Sequence, residues 1–210
     1  MSENQIEAIS LMPDGGSKPT HLLLMLHGWG ANYRDLVPLA QILDIPKLGC
    51  LFPNAPFSHP HVPDGRAWYE LETQDFRGLS TSQELLFDWI MSLKASTGVP
   101  LERTIMAGFS QGGAMTLDVG LTLPLAGLCS MSGFLHYHPE LVEETDFPPV
   151  LMIHGKQDSV VPLEAAQEAR DELTKIGVTI DYREFDMGHE IAPPALTTLQ
   201  QFVEKIVTGN

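Results

Sequence analysis

The chain has 210 residues, 43% of them hydrophobic, with a mean hydropathy near zero, as expected for one globular domain spanning 1–210. Twelve basic against 27 acidic residues leave a net charge of −15, which argues against nucleic-acid binding and against docking on anionic lipid, both of which need clustered Lys and Arg. No apolar run approaches the ~20 residues of a membrane helix, and the first residues are polar and acidic, unlike a secretory signal, so a cytoplasmic protein with no stable membrane anchor is expected.

In chain order, apolar runs alternate with helical patterns. Strands are expected over 21–27, 48–53, 104–109, 127–132, 150–154 and 179–185. Helices are expected over 35–43, 81–97, 111–123, 163–176 and 194–207. Ser80/Gln83 and Thr81/Glu84 have capping-box spacing at the start of the second helix. Pro124 follows the third helix and Gly177 the fourth, both as stop signals. Runs such as Leu22-Leu-Leu-Met-Leu26 are apolar at every position and suit strands covered on both faces. The regular strand-then-helix order predicts a mostly parallel, doubly wound α/β sheet whose ligands sit at the carboxyl ends of the strands. The region 54–79 is long, irregular and rich in Pro, His and Gly, which marks it as a functional or mobile loop. Cys50 and Cys129 lie in apolar runs and read as buried thiols.

Residues Ile105-Met-Ala-Gly-Phe-Ser-Gln-Gly-Gly-Ala114 place a serine between glycines where a strand turns sharply into a helix. Such a turn pushes Ser110 to positive φ and raises its hydroxyl above the sheet edge. Gly108 and Gly112 supply the space for strand and helix to meet there. On a sheet of this kind a carboxylate and then a histidine follow the serine in the chain. His189, in Met187-Gly-His-Glu190, is the only histidine beyond residue 154, and Gly188 is expected to turn its loop back toward Ser110. Asp158, in His154-Gly-Lys-Gln-Asp-Ser-Val-Val-Pro162, is the expected acid, with Asp186 as an alternative. Asp118, Asp171 and Glu172 fall in helical patterns and read as surface charges. The turn His27-Gly-Trp-Gly30 is positioned to supply one backbone N–H of an oxyanion hole, assigned to Trp29, with Gln111 supplying the other; His27 itself reads as structural. His59/His61 and His136/His138 are pairs with conceivable metal spacing, but both sit in loops without further ligands, so no metal is expected.

With these parts in place the chain resembles the carboxylesterase/phospholipase family of α/β-hydrolases, which includes bacterial carboxylesterases and acyl-protein thioesterases. The resemblance runs from about Leu23 to Val203. It is carried by Leu26-His-Gly-Trp-Gly-Ala31, Phe52-Pro-Asn-Ala-Pro56, Arg66-Ala-Trp-Tyr-Glu70, Ala107-Gly-Phe-Ser-Gln-Gly-Gly-Ala114, His154-Gly-Lys-Gln-Asp158 and Met187-Gly-His189. It implies an α/β-hydrolase fold and a cofactor-free serine esterase with Ser110, Asp158 and His189 as catalytic triad. Trp29 stands where leucine is commoner in the family. The connection 133–149 is too short to hold a cap domain, so an open site is expected, walled by Trp29, Phe57, Trp68, Leu71, Phe76, Leu79 and Phe134. The expected substrate is a small-molecule ester or thioester with a short-to-medium acyl chain. Acyl-protein thioesterase or lysophospholipase activity would use the same triad, and a non-catalytic binding protein on this fold is the competing class. A homodimer is compatible with the sequence.

Overall fold

Strands whose side chains are buried on both faces belong in the middle of a sheet, and the apolar runs of this chain go there. The computed structural model describes residues 6–13, 17–72, 75–137 and 146–209. In chain order its elements are β1 (Ala8–Leu11), β2 (His21–Leu26), α1 (Val37–Leu43), β3 (Leu48–Pro53), β4 (Phe57–Ser58), β5 (Arg66–Ala67), α2 (Leu79–Thr97), β6 (Thr104–Phe109), α3 (Gln111–Gly120), β7 (Gly127–Met131), β8 (Val150–Gly155), α4 (Leu163–Lys175), β9 (Ile180–Phe185) and α5 (Pro193–Thr208). Seven strands form one sheet in the order β1-β3-β2-β6-β7-β8-β9. All neighbours are parallel except β1, which runs antiparallel to β3. This is the α/β-hydrolase fold, with no cap domain among the described residues.

Alternate side chains divide between two cores. Leu22, Leu24 and Leu26 join Leu86, Ile90, Met115 and Leu173 on the face covered by α2, α3 and α4. Leu23 and Met25 join Leu43, Ile105, Leu199 and Val203 on the face covered by α1 and α5. Each fully buried leucine stabilises the fold by roughly 1.5–3 kcal/mol relative to an exposed one, so the period of two locks the register of β2.

Three local features depart from the sequence reading. Helix α2 begins at Leu79 rather than 81, after Gly78 at φ 94°, and has no side-chain cap. The two capping-box pairs do not form at its start because Leu79 is drawn into the core, the Ser82 hydroxyl donates to the Trp68 carbonyl, and Gln83 reaches across to Asp118. Helix α3 stops at Gly120 instead of 123, and Leu123 and Leu125 beyond it are buried. Strand β1 was not expected: its alternating exposure belongs to an antiparallel edge and gives no continuous apolar run. The β4–β5 hairpin pairs Phe57 with Ala67 and Ser58 with Arg66 inside the 54–79 loop.

Glycine is required where α3 crosses the strands. A Cβ on Gly108 would lie 2.0 Å from the Gly112 carbonyl oxygen, and one on Gly112 would lie 2.3 Å from that of Leu26. Both obstacles are backbone. Gly108→Ala is therefore expected to destabilise the protein by more than about 3 kcal/mol, measured as a fall in the urea midpoint at unchanged slope. An alanine variant of wild-type stability would show that the helix can move away from the sheet at little cost.

Candidate active site

Ser110 is the N-cap of α3, with φ 55° and ψ −119°. This conformation is sparsely populated for a non-glycine residue and costs on the order of 1–3 kcal/mol. It is held from both sides: the Ser110 N–H donates to the Met131 carbonyl at 2.8 Å, and its own carbonyl accepts the Ala114 N–H at 3.0 Å. The side chain therefore stands at the carboxyl end of β6, over the start of the helix.

The ends of β8 and β9 bring the other two groups. Asp158 follows β8, where one carboxylate oxygen accepts the N–H groups of Val160 and Val161, each at 2.9 Å. The other oxygen accepts His189 Nδ1–H at 2.8 Å, and Ser110 Oγ–H donates to His189 Nε2 at 2.9 Å. This tautomer follows from the network: the carboxylate can only accept, so Nδ1 carries the hydrogen. Burial alone would raise the Asp158 pKa, but the hydrogen bonds from His189, Val161 and Val160 outweigh it and hold the carboxyl below its ordinary value. His154 Nε2–H donates to the Val161 carbonyl at 2.9 Å and lies 3.6 Å from Asp158, so it pins the turn that presents the two N–H groups. The Phe109 ring flanks the His189 imidazole at 4.8 Å.

The glycine that shapes the histidine loop is not the expected one. Gly188 has no positive φ, and a Cβ there would meet only the Gln157 carbonyl oxygen, at 3.8 Å. Gly155 is the constrained residue, since a Cβ on it would sit 2.4 Å from the carbonyl oxygens of Met187 and Gly188. The absence of that carbon lets the loop lie against the end of β8. Asp186, the alternative acid, instead pairs with Lys156 at 3.0 Å in an exposed position. Asp171 pairs with Arg170 and Glu172 with Lys175 on α4, in line with surface roles. Asp118 does not fit that reading: its side chain is largely buried and bonded to His136.

A cavity of about 500 Å³ contains Ser110 and is lined by Leu71, Phe134, Tyr137, Val160 and Pro162 among others. Leu71 and Phe134 thus lie where the sequence put them. Trp68 and Leu79 do not form a wall, because both are buried in the core. The Trp68 indole N–H donates to the His27 carbonyl at 3.0 Å, and Leu79 starts α2. Phe76 packs against Tyr69 and His136, Phe57 is partly exposed with its ring against Gly78, and Trp29 stands 4.1 Å from the His59 ring. A larger cavity of about 760 Å³ lies between β9 and α5, but no group of the triad lines it. Of the histidine pairs, His59 Nδ1 accepts the N–H groups of His61 and Val62, and His61 pairs with Glu72. His138 lies outside the described residues.

The side chain of Gln111 has a role that the sequence pattern did not reveal, and His27 has the structural role expected of it. The Gln111 side chain accepts the Trp68 N–H and donates to the Tyr69 carbonyl, both at 2.8 Å. It fastens the 54–79 loop to the first residue after Ser110. His27 is fully buried; its Nδ1–H donates to the Gly28 carbonyl at 2.8 Å, and its Nε2 accepts the Ala55 N–H at 3.1 Å. A second ring proton would point at that N–H.

A parallel sheet with a strained serine on its central strand-to-helix turn, and with acid and base on two later strand ends, defines an α/β-hydrolase with Ser–His–Asp triad geometry. The chain belongs to the phospholipase/carboxylesterase family, whose model matches residues 8–207, and so to the carboxylesterase and thioesterase class of hydrolases. It is 31% identical to acyl-protein thioesterase 1 of Gibberella zeae over 85% of this chain and 84% of that one. It is 26% identical to carboxylesterase SOBER1 of Arabidopsis thaliana over 90% and 91% of the two chains. Among solved structures, that of esterase PE8 superposes with a TM-score of 0.88 at 33% identity, covering 96% of this chain and 99% of the other. No helix among the described residues is long and apolar enough to cross a membrane.

The buried His27 gives a pH prediction. Burial is the main cause that lowers its pKa from 6.5 to about 4. The folded state stays neutral where the unfolded chain takes a proton, so stability is complete above pH 6.5 and falls as the pH drops toward 4. The loss from this group is about 3 kcal/mol. Urea unfolding at stepped pH should show that slope, and a folded His27→Gln variant should flatten it. An equal slope in the variant would assign the loss to other groups.

Proposed function

We propose that this protein hydrolyses short-to-medium acyl esters through Ser110, His189 and Asp158, by way of an acyl-enzyme. The observation that carries the reading is the single imidazole bonded at once to Ser110 Oγ and Asp158 Oδ2. As the Ser110 oxygen attacks the carbonyl, His189 Nε2 takes its proton, and the resulting imidazolium faces the Asp158 carboxylate. The imidazolium then protonates the departing alcohol or thiol. Water, deprotonated by the same nitrogen, attacks the acyl-serine and releases the acid.

The oxyanion is assigned to the backbone N–H groups of Trp29 and Gln111. Gln111 opens α3, where N–H groups have no partner within the helix and the dipole favours negative charge. The Gly28–Gly30 turn abuts Ser110 closely: a Cβ on Gly28 would be 3.3 Å from the Ser110 Cβ. Such donors typically contribute 10²–10³ in rate. A preference for short-to-medium chains is supported by the cavity of about 500 Å³, which no cap domain among the described residues covers. Thioester hydrolysis is the second reading, favoured by the Gibberella zeae relative, which is named an acyl-protein thioesterase. It requires the same steps with a thiolate leaving.

Ser110→Ala should abolish both ester turnover and labelling by a fluorophosphonate, and Asp158→Asn should lower kcat by about 10⁴ through loss of the tautomer. A folded wild-type chain that the probe fails to label would instead favour a binding protein. Because His189 must accept a proton, kcat/KM should fall on acidification with the slope of one proton, since Asp158, held below its ordinary range, stays ionised throughout. A rate that does not fall on acidification while the protein stays folded would contradict the role given to His189. In a nitrophenyl ester series, acetate to octanoate should be turned over faster than palmitate, and the reverse order would overturn the size preference.

A further inference from the structure

The protein contains a second buried histidine–carboxylate pair. His136 Nδ1–H donates to Asp118 Oδ2 at 2.6 Å, and Gln83 Nε2 donates to the same oxygen at 3.0 Å. The imidazole is fully buried and the carboxylate is 11% exposed. Rings of Tyr69, Phe76 and Phe134 enclose the imidazole, with centroids at 4.7, 5.1 and 5.2 Å. Its other nitrogen, Nε2, is buried and has no hydrogen-bond partner among the described residues, where Asp118 supplies the polar contact of the ring.

The bond joins α3 to the residues that follow β7. Phe134, Leu135, His136 and Tyr137 line the cavity that contains Ser110. Asp118 lies on the helix that Ser110 caps, eight residues further on, or about 12 Å along the axis. The nucleophile and the far wall of its cavity are thus referenced to one rigid rod. Neither Asp118 nor His136 reaches Ser110 or the oxyanion turn, so they touch none of the reacting atoms.

We propose that Asp118 and His136 are a positioning pair: their bond holds residues 134–137 as a fixed wall and so sets how long a substrate arm the cavity accepts. The proposal rests on the esterase reading above. A buried N–H left without its carboxylate costs more than the bond itself contributes. Removing Asp118 therefore releases the ring, and the wall moves with it. Asn at position 118 keeps an oxygen that can accept Nδ1–H, so it preserves the wall while removing the charge.

The test measures kcat and KM for Asp118→Ala, Asp118→Asn, His136→Ala and the double alanine variant. One ester series varies the acyl arm from nitrophenyl acetate to octanoate, and another varies the alcohol arm from methyl to octyl butyrate. Fluorophosphonate labelling and Tm are recorded alongside. In Asp118→Ala, KM for the longest member of one series should rise by about tenfold relative to the shortest, with kcat less affected. Asp118→Asn should restore the wild-type length dependence, and the double variant should be no worse than either single one. A downfield, exchange-protected imidazole N–H resonance should vanish in all three alanine variants and persist in Asp118→Asn. Unchanged length dependence in both series, or an equal loss on every ester that Asn fails to rescue, would overturn the wall. A wild type that is inactive on all esters would overturn the esterase reading itself, whereas an active wild type with an unaltered profile in Asp118→Ala overturns only the positioning role.

Discussion

The close contact between helix α3 and the strands beneath it governs the rest of this molecule. Where Gly108 and Gly112 meet, the gap has no room for a methyl group, and that proximity forces the chain to turn within one residue. Ser110 occupies the turn and carries the strain. The conformation persists because its N–H and carbonyl are both committed, to β7 and to the first turn of α3, and because α3 is buried along nearly its whole length. Strain on the order of 1–3 kcal/mol is small beside the burial of such a helix, so the hydroxyl is fixed before any substrate arrives.

Charge is arranged by the same economy of backbone. Asp158 sits in a turn whose N–H groups point at it, and these dipoles, together with His189, offset the penalty of burying a carboxylate. The turn is held in shape by the buried His154, and a second buried histidine, His27, ties the Gly28–Gly30 turn to Ala55. Three strand ends therefore deliver a hydroxyl, an imidazole and a carboxylate already hydrogen-bonded in line, leaving little reorganisation for the reaction.

The parts that could be read from the chain are those in which one local rule dominates. Continuous apolar runs marked β2, β3, β6, β7 and β8 to within a residue or two, and the glycine-flanked serine foretold the positive φ of Ser110. Chain order was enough to select His189, and it favoured Asp158 while leaving Asp186 open until the structure paired that residue with Lys156. Features decided by tertiary partners were not legible. The polar start of α2 has the spacing of a capping box, yet Ser82 and Gln83 are taken by Trp68 and Asp118. Asp118 looks like a surface charge in a helical pattern, and only the fold shows His136 beside it. Trp68 and Leu79 resemble pocket residues because they are large and lie in a loop rich in Pro and Gly, but backbone anchoring pulls that loop inward. Gly188 drew attention by its place next to His189, although the steric demand falls on Gly155, 34 positions upstream and adjacent only in space.

Gln111 holds the 54–79 loop by main-chain atoms of Trp68 and Tyr69 alone. A grip on peptide groups is indifferent to the side chains they carry. The register of these two peptide units to Ser110 is thus kept by Gln111, while the buried Trp68 and Tyr69 side chains secure the same stretch to the core. A change at an exposed loop position such as Leu71, which faces the cavity, can then reshape the mouth and leave the strand-to-helix turn beneath it in place.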